Sequence, residues 1–312
     1  MKDYCDDHWA VILGGSSGFG LATAKKLARH GMNVLVVHRD RRGAMRRIEP
    51  EFEKIRQCGR GFVAMNLDAL SEEGRGRVVD TLREQLGERG RVRLLLHSIA
   101  FGNLKPVAPA VDDNRVAQAV EKLASRLGVA AEAVSEAVSD LLVDGVNPLY
   151  SLAEAQYGST LIEPEDMERT IFSMGTSMLF WVQDLHAAGL FADDARVLGM
   201  TSEGNEVAWK GYAAVAAAKV ALESVSRAIA VEFAAHGIRS NIIQAGITPT
   251  PALALIPGSA RMKASAELRN PFGRTTTPQD VADFIALMCT DEAAWVNGSI
   301  LRVDGGEHVS SF

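Results

Sequence analysis

Cysteine is scarce in this sequence, which has 3 cysteines among 312 residues. Cys5, Cys58 and Cys289 lie far apart, with no Cys-x-x-Cys pair and no histidine at metal-ligand spacing. Disulfide frameworks and structural zinc sites need closely and regularly spaced ligands. We therefore expect reduced thiols, no metal site and a cytoplasmic protein.

Long hydrophobic runs and an excess of positive charge are also missing. No apolar stretch reaches the ~18 residues of a membrane span, and the polar, acidic N-terminus is unlike a secretory signal. The formal net charge is -6, which disfavours a nucleic-acid binder. We expect neither a membrane nor a nucleic acid as partner. The sequence also lacks a Ser/His/Asp order and paired carboxylates that would indicate a hydrolase.

Short apolar runs alternate with amphipathic segments along most of the chain. Fully apolar strands between helices are typical of a parallel sheet with helices on both faces. The predicted strands are residues 9–13, 33–37, 61–65, 92–96, 196–200, 238–244 and 299–303, and the predicted helices are 21–30, 42–58, 71–86, 164–188, 212–236 and 278–288. The sequence thus predicts a doubly wound α/β sheet (Rossmann fold), with ligands at the carboxyl ends of the strands.

The alternation stops at residues 107–163, after the fourth strand. Residues 113–127 and 130–143 have the spacing of two amphipathic helices, joined at Gly128. We interpret this segment as an inserted helical hairpin. Because no linker is visible and an α/β fold can reach roughly 250 residues, we predict one domain over residues 1–312.

A glycine-rich turn joins the first strand to the first helix. Glycine there lets a pyrophosphate approach the helix N-terminus, where free N–H groups and the helix dipole favour anions. The strand before and the helix after this turn favour a dinucleotide cofactor over a merely structural turn. The residues assigned to this site are Gly14, Ser16, Ser17, Gly18, Phe19 and Gly20.

The end of the second strand distinguishes NADP from NAD. An acidic residue there binds the ribose 2′-hydroxyl of NAD, whereas an arginine accommodates the 2′-phosphate of NADP. Arg39 therefore favours NADPH, with a solvated basic surface as the alternative. Asp68 either accepts the adenine amino group or caps the next helix. We assign His38, Arg39, Leu67 and Asp68 to the adenosine half of the site.

Several motifs together resemble the short-chain dehydrogenase/reductase superfamily over about residues 9–107 and 164–307. They are the glycine turn, the Asn-Leu-Asp turn at 66–68 and the Val-Asp-Gly-Gly run at 303–306. Most members carry Tyr-x3-Lys, but Val215 stands four residues before Lys219. Tyr212 instead gives Tyr-x6-Lys (YAAVAAAK). This spacing, like the runs HSIAF at 97–101 and QAGITPT at 244–250, is similar to the enoyl-acyl carrier protein reductases.

Two features depart from the commonest enoyl reductases. Ser202 stands where many of them have a second aromatic residue, and it matches the serine of conventional ketoreductases. The glycine turn is also of the conventional type. This mixture resembles the NADPH-dependent enoyl reductase subtype, although the helical insertion has no counterpart there.

The resemblance implies hydride transfer from NADPH to the β-carbon of a 2-enoyl thioester. Tyr212 would donate to the enolate oxygen, and Lys219, about two helical turns later, would hold the nicotinamide ribose. Ser202 is either a substrate ligand or a turn serine. The remaining assignments are Ser98, Ile99, Ala100, Gly246, Ile247 and Thr250 for the cofactor and Phe101, Trp209 and Leu253 for an acyl pocket. The run 253–256 also suits a lid helix.

Two alternatives remain open at this point. Ser202 and the glycine turn favour a carbonyl or 3-ketoacyl reductase of the same superfamily. The insertion suits a non-catalytic NADP-binding regulator, although Tyr212 and Lys219 oppose that hypothesis. The partners implied by the resemblance are an acyl thioester, carried by coenzyme A or an acyl carrier protein, and further copies of the chain in a tetramer or dimer.

Overall fold

The computed structural model describes residues 4, 6–111, 114–153, 155 and 157–311; Cys5 and Asp113, named by the sequence predictions, lie outside them. Seven parallel strands form one sheet in the order β3-β2-β1-β4-β5-β6-β7. The strands are β1 (His8–Leu13), β2 (Asn33–His38), β3 (Phe62–Asn66), β4 (Arg91–His97), β5 (Phe191–Ser202), β6 (Ile238–Ala245) and β7 (Ile300–Val303). The predicted doubly wound α/β fold is confirmed.

Eleven helices are present in the described part of the chain. They are α1 (Gly18–Arg29), α2 (Arg42–Arg56), α3 (Glu72–Leu86), α4 (Arg115–Leu127), α5 (Ala131–Val143), α6 (Pro164–Ile171), α7 (Ser177–Ala187), α8 (Ala213–Glu232), α9 (Pro251–Ala254), α10 (Ser259–Arg269) and α11 (Pro278–Met288). The helix predicted over 164–188 contains one π-helical turn, Phe172–Thr176. Of the lid helix predicted at 253–256, only residues 253 and 254 are helical, in the single turn α9, and the longer α10 was not predicted.

Both faces of the sheet are covered, which explains why the strands read as unbroken apolar runs. Helices α1, α2 and α11 pack over the face that carries Ile12, and α3, α7 and α8 cover the face that carries Val11. Adjacent strand residues point to opposite faces, so each needs an apolar side chain. Of the described helices, none is long and apolar enough to cross a membrane.

The sheet reverses its direction of growth at β1, which lies between β2 and β4. In doubly wound sheets such a reversal opens a crevice beyond the carboxyl ends of the two strands. The crevice here is bordered by the turn after β1, the segment after β4 and the N-terminus of α1. The fold thus brings the predicted glycine turn beside the predicted Ser98–Ala100 segment.

The insertion contains the predicted helical hairpin. Helices α4 and α5 pack around a small apolar core, and α4 ends at Gly128, whose left-handed φ of 69° suits a glycine C-cap. A 3₁₀ turn, Asn147–Leu152, follows and packs against α10. There the Asn147 side chain donates to Glu267 at 2.5 Å. The insertion therefore leaves the sheet after β4 and supports α10 from outside.

Candidate active site

A cleft lies beyond the carboxyl ends of β4, β5 and β6. Predicted site residues from separate parts of the chain meet on its walls. They are Phe19, Ser98, Ile99, Ala100, Ser202, Trp209, Tyr212, Lys219, Gly246, Ile247, Thr250 and Leu253. The structure thus joins the predicted catalytic residues to both the predicted cofactor loops and part of the predicted substrate wall.

The glycine turn is shaped for close backbone approach. A Cβ atom on Gly14, whose φ is 83°, would lie 2.5 Å from the Ser98 carbonyl oxygen. A Cβ atom on Gly20 would lie 2.3 Å from the Gly14 carbonyl oxygen. At Gly18 the nearest atom is a Thr250 methyl carbon, 3.4 Å from a Cβ position. Only glycine fits the first two positions, which fixes the entry of α1.

The N-terminus of α1 can hold an anion. Its N-cap residue, Ser17, makes no side-chain capping hydrogen bond, so the first N–H groups of the helix are not satisfied by the cap. Free N–H groups together with the helix dipole favour a pyrophosphate at this place. The residues present therefore fit a dinucleotide cofactor, with Ser16, Ser17 and Gly18 around its phosphates.

Arg39 follows β2 at the predicted adenosine end of the site, and its side chain is already paired. Its Nη1 donates to Asp68 at 3.1 Å, and both side chains are nearly half exposed. Asp68 does not cap the next helix, because the Ser71 hydroxyl accepts the Gly74 N–H at 3.0 Å. The helix-cap alternative for Asp68 is therefore wrong.

His38 and Leu67 do not offer free side chains to a ligand. The His38 ring is buried against Phe52, with ring centroids 5.3 Å apart, and its Nδ1 lies 2.9 Å from an Asp40 carboxylate oxygen. Leu67 packs into the apolar core beside α3. Either residue could meet a cofactor only through its backbone, because both side chains serve the packing of the sheet.

Phe101 does not line the cleft. Its ring lies under two guanidinium groups, 4.4 Å from the Arg39 Cζ and 4.8 Å from the Arg169 Cζ. Such cation–π contacts favour an exposed aromatic ring at a basic surface. The expectation that Phe101 lines an acyl pocket is wrong, because its ring packs against Arg39 and Arg169 outside the cleft.

Tyr212 and Ser202 lie together on one wall of the cleft. Tyr212 is the N-cap residue of α8, and its hydroxyl is 3.4 Å from the Ser202 hydroxyl. Burial raises the pKa of Tyr212, and the hydrogen bond with Ser202 lowers it in part. The phenol is therefore protonated at neutral pH and able to donate a hydrogen bond.

Lys219 lies on α8, seven residues after Tyr212, and is buried with 7% of its surface exposed. Its ammonium group donates to the Met200 carbonyl oxygen at 2.7 Å. Burial lowers the pKa of Lys219 to about 8, while the negative charge of Glu223 raises it. Lys219 is therefore not a solvated surface lysine, and its buried ammonium group needs such partners.

Glu223 and His97 surround Lys219 with groups that the sequence reasoning did not connect to it. Glu223 accepts hydrogen bonds from Thr201 at 2.6 Å and from Asn205 at 2.7 Å. His97 lies 2.9 Å from the Ser177 hydroxyl, and burial, followed by the Lys219 charge, lowers its pKa to about 3. The imidazole is therefore neutral and serves as a hydrogen-bonding bridge between β4 and α7.

The substrate half of the cleft is mainly apolar. Besides Trp209 and Leu253, it is lined by Leu104, Met174, Val215, Ile256 and Met262. Met174 comes from the π-helical turn and Met262 from α10, so neither could be placed from local patterns. Among the described residues, no group of three or more histidine, cysteine, aspartate or glutamate side chains is arranged to hold a metal ion.

Two family models match the chain. The model described as short chain dehydrogenase matches residues 8–122, and the model described as Enoyl-(Acyl carrier protein) reductase matches residues 130–308, more than half of the chain. The chain belongs to the short-chain dehydrogenase/reductase family. It is therefore an oxidoreductase of a family that uses nicotinamide cofactors, and the two matched ranges together include the glycine turn, Tyr212 and Lys219.

Individual relatives in this family differ in activity. The chain is 26% identical to cis-4-hydroxycyclohexanecarboxylate dehydrogenase of Sinomonas cyclohexanicum, with 95% of each chain covered. It is 27% identical to a probable 2,4-dienoyl-CoA reductase of Bacillus subtilis, with 97% of each covered. The crystal structure of enoyl-[acyl-carrier-protein] reductase (NADH) from Aquifex aeolicus aligns with a TM-score of 0.71 at 21% identity, covering 98% of each chain. At this identity the structural likeness shows the fold alone.

Proposed function

We propose that this family member reduces the C=C bond of a 2-enoyl thioester with NADPH. The observation that carries the proposal is the placement of Tyr212 and Lys219, seven residues apart, at the border between the cofactor loops and an apolar pocket. The matched enoyl reductase model and the dienoyl-CoA reductase relative support it. An apolar pocket suits an acyl chain and excludes water from the reacting atoms.

The residues of the chain would act on the charge that develops during the reaction. A bound reduced nicotinamide cofactor would supply a hydride to the β-carbon of the substrate. The electron pair of the C=C bond then moves toward the carbonyl group, and negative charge develops on the thioester oxygen. Tyr212 donates its phenolic hydrogen to that oxygen, as an oxyanion-site donor does. The resulting enol takes up one proton from solvent at its α-carbon and returns its oxygen-bound proton to the Tyr212 phenolate, so that the net addition is one hydride and one proton.

Lys219 and Ser202 would support Tyr212 in different ways. The ammonium group of Lys219 would hold ribose hydroxyls of the cofactor and keep positive charge on this side of the cleft. Ser202, 3.4 Å from the phenolic oxygen, would orient the Tyr212 hydroxyl or share the substrate carbonyl. Both side chains line the cleft, as these roles require.

The preference for NADPH is proposed from Arg39. Its exposed guanidinium group stands at the end of β2, where a 2′-phosphate would lie, and it could exchange its Asp68 contact for the phosphate.

Substitution of Arg39 by alanine should weaken NADPH binding at least ~10-fold and NADH binding much less, because only NADPH carries the phosphate. Fluorescence titration measures both dissociation constants, with the exposed Arg41→Ala as control. Equal weakening of both cofactors contradicts the assignment.

A carbonyl or 3-ketoacyl reductase is the second candidate. The observation in its favour is the Ser202 hydroxyl beside Tyr212, an arrangement that also suits proton donation to a carbonyl oxygen. The dehydrogenase relative of Sinomonas supports this candidate.

One assay separates these functions. Oxidation of NADPH and NADH is followed at 340 nm with crotonyl-CoA, longer enoyl-CoA esters, acetoacetyl-CoA and a cyclic ketone. Our proposal predicts turnover of the enoyl esters, with NADPH preferred. Faster turnover of the keto substrates favours the second candidate, and tight cofactor binding without any turnover favours a regulator. We also predict that an acyl carrier protein can carry the substrate and that the chain forms a homo-oligomer; this assay tests neither prediction.

A further inference from the structure

A largely buried ion network lies at the edge of the cleft, and the proposed chemistry does not use it. One guanidinium nitrogen of Arg269, Nη2, donates to Glu203 at 2.7 Å and to Glu307 at 2.9 Å. Glu203 is 7% exposed and Glu307 is 1% exposed. Two nearly buried carboxylates around one guanidinium group make a charged cluster that is costly to break, because either partner alone would be left uncompensated.

Each carboxylate belongs to a different wall of the cleft. Glu203 directly follows Ser202 at the end of β5 and itself lines the cleft. Glu307 uses its second carboxylate oxygen, Oε2, to accept the backbone N–H of Ile247 at 3.1 Å. Through Glu203 the network therefore reaches Ser202, which lies beside Tyr212. Through Glu307 it reaches the loop after β6, where Ile247 lies.

The guanidinium group comes from a third element. Arg269 is the last residue of α10, the helix that contributes Met262 to the apolar pocket. Burial, aided by the Glu203 charge, raises the pKa of Glu307, and Arg269 opposes this rise. Arg269 thus helps to keep the carboxylate ionised as a strong acceptor for the Ile247 N–H.

We propose that Arg269 is a positioning residue. It fixes α10 to the end of β5, beside Ser202, through Glu203, and to the loop after β6, at Ile247, through Glu307. A single side chain then sets the distance between the proton donor, the cofactor and the acyl pocket. Small displacements of reacting groups are costly, since a shift of about 1 Å can reduce a rate by ~100-fold. The turnover part of this proposal rests on the proposed function, whereas its cofactor-binding part does not.

The first test compares three variants of α10 by melting temperature, NADPH dissociation constant and steady-state kinetics with crotonyl-CoA. Arg269→Gln should lower kcat ~10- to 100-fold and weaken NADPH several-fold, with KM for the thioester changed less than kcat. Arg269→Lys keeps the positive charge between the two carboxylates and should restore part of kcat. Lys263→Gln, which removes an exposed positive charge from the same helix, should behave like the wild type.

The second test separates the two arms and remains decisive if Arg269→Gln does not fold. Glu307→Gln should weaken NADPH binding more than it lowers the rate of the bound complex. Glu203→Gln should lower kcat with NADPH affinity nearly unchanged. The proposal is overturned if both variants change the same parameter to the same extent, or if a folded Arg269→Gln matches Lys263→Gln. A wild type that binds NADPH but reduces no thioester contradicts the proposed function and leaves the binding comparison valid.

Discussion

At the scale of single residues, burial decides the chemistry of the Tyr212–Lys219 pair. Spacing places both residues on the same side of one helix, but only the packing around them shifts their pKa values in opposite directions. Burial favours the neutral form of each group. The result is a protonated phenol beside a lysine whose charge is lost just above neutral pH.

Removing the phenolic oxygen should stop the proton-donation step. Tyr212→Phe keeps the ring and should lower kcat ~100- to 10,000-fold, the usual loss for an acid–base group. Binding of NADPH should change little, because the cofactor loops do not depend on the hydroxyl. Stopped-flow and steady-state rates on the preferred thioester measure the effect. Wild-type rates in a folded Tyr212→Phe would refute the role of Tyr212.

The pH profile should report Lys219. Its lowered pKa of about 8 means that the ammonium charge is present below this pH and is lost as pH rises through it. We expect kcat/KM to fall on the alkaline side near pH 8. Glu223→Gln removes the charge that raises this pKa, so the alkaline limb should move to lower pH. An unchanged limb in Glu223→Gln, or no limb below pH 10, contradicts this assignment.

At the scale of elements, the first turn of α1 tolerates no added atom at Gly20. A methyl group on Gly20 would meet the Gly14 carbonyl oxygen at 2.3 Å, whereas one on Gly76, in the exposed part of α3, meets nothing within 4 Å. Gly20→Ala should therefore displace the turn and weaken NADPH binding at least ~10-fold. Gly76→Ala should stabilise the fold by about 1 kcal/mol through helix propensity. Urea unfolding and fluorescence titration of both variants measure these effects.

The insertion should act on the substrate side of the cleft through α10. The link is the Asn147 side chain, which donates to Glu267 on that helix. Asn147→Ala should speed amide exchange in α10 and raise KM for the thioester a few-fold, with NADPH affinity unchanged. Ser139→Ala, at an exposed position of α5, is the control. Unchanged exchange in α10 would show that the insertion does not support this helix.

At the scale of the whole molecule, buried His97 should make the fold sensitive to acid. Its pKa is about 3 in the folded chain and roughly 6.5 in an unfolded one. Between these values the unfolded state binds a proton that the folded state does not, so stability falls as pH decreases. The loss should be about 2 kcal/mol between pH 6.5 and pH 5.

Urea unfolding at pH 7 and pH 5 tests this contribution. His97→Asn does not titrate and keeps a partner for Ser177, so its stability should depend less on pH than that of the wild type. His236→Asn, at an exposed position, should retain the wild-type dependence. Parallel pH dependences in all three proteins would show that His97 does not contribute to acid sensitivity.

Local patterns were sufficient for the strands, most helices and the family, for identifiable reasons. A strand buried on both faces must be apolar throughout, and the turn at Gly14 and Gly20 admits no other residue. The same patterns misplaced Phe101, because its contacts with Arg39 and Arg169 join segments far apart in the chain. Helix α10 was missed because its apolar face is short and packs partly on the insertion.

The sequence by itself thus determined the doubly wound fold, the glycine turn and the Tyr212–Lys219 pair, since apolar runs, glycine spacing and a seven-residue helical spacing are all local patterns. Only the tertiary structure decided the charge state of Lys219, the neutral bridging role of His97 and the joining of Glu203, Arg269 and Glu307. These depend on burial and on contacts between distant segments. Local spacing does not encode such contacts, because the packing of the sheet and helices creates them.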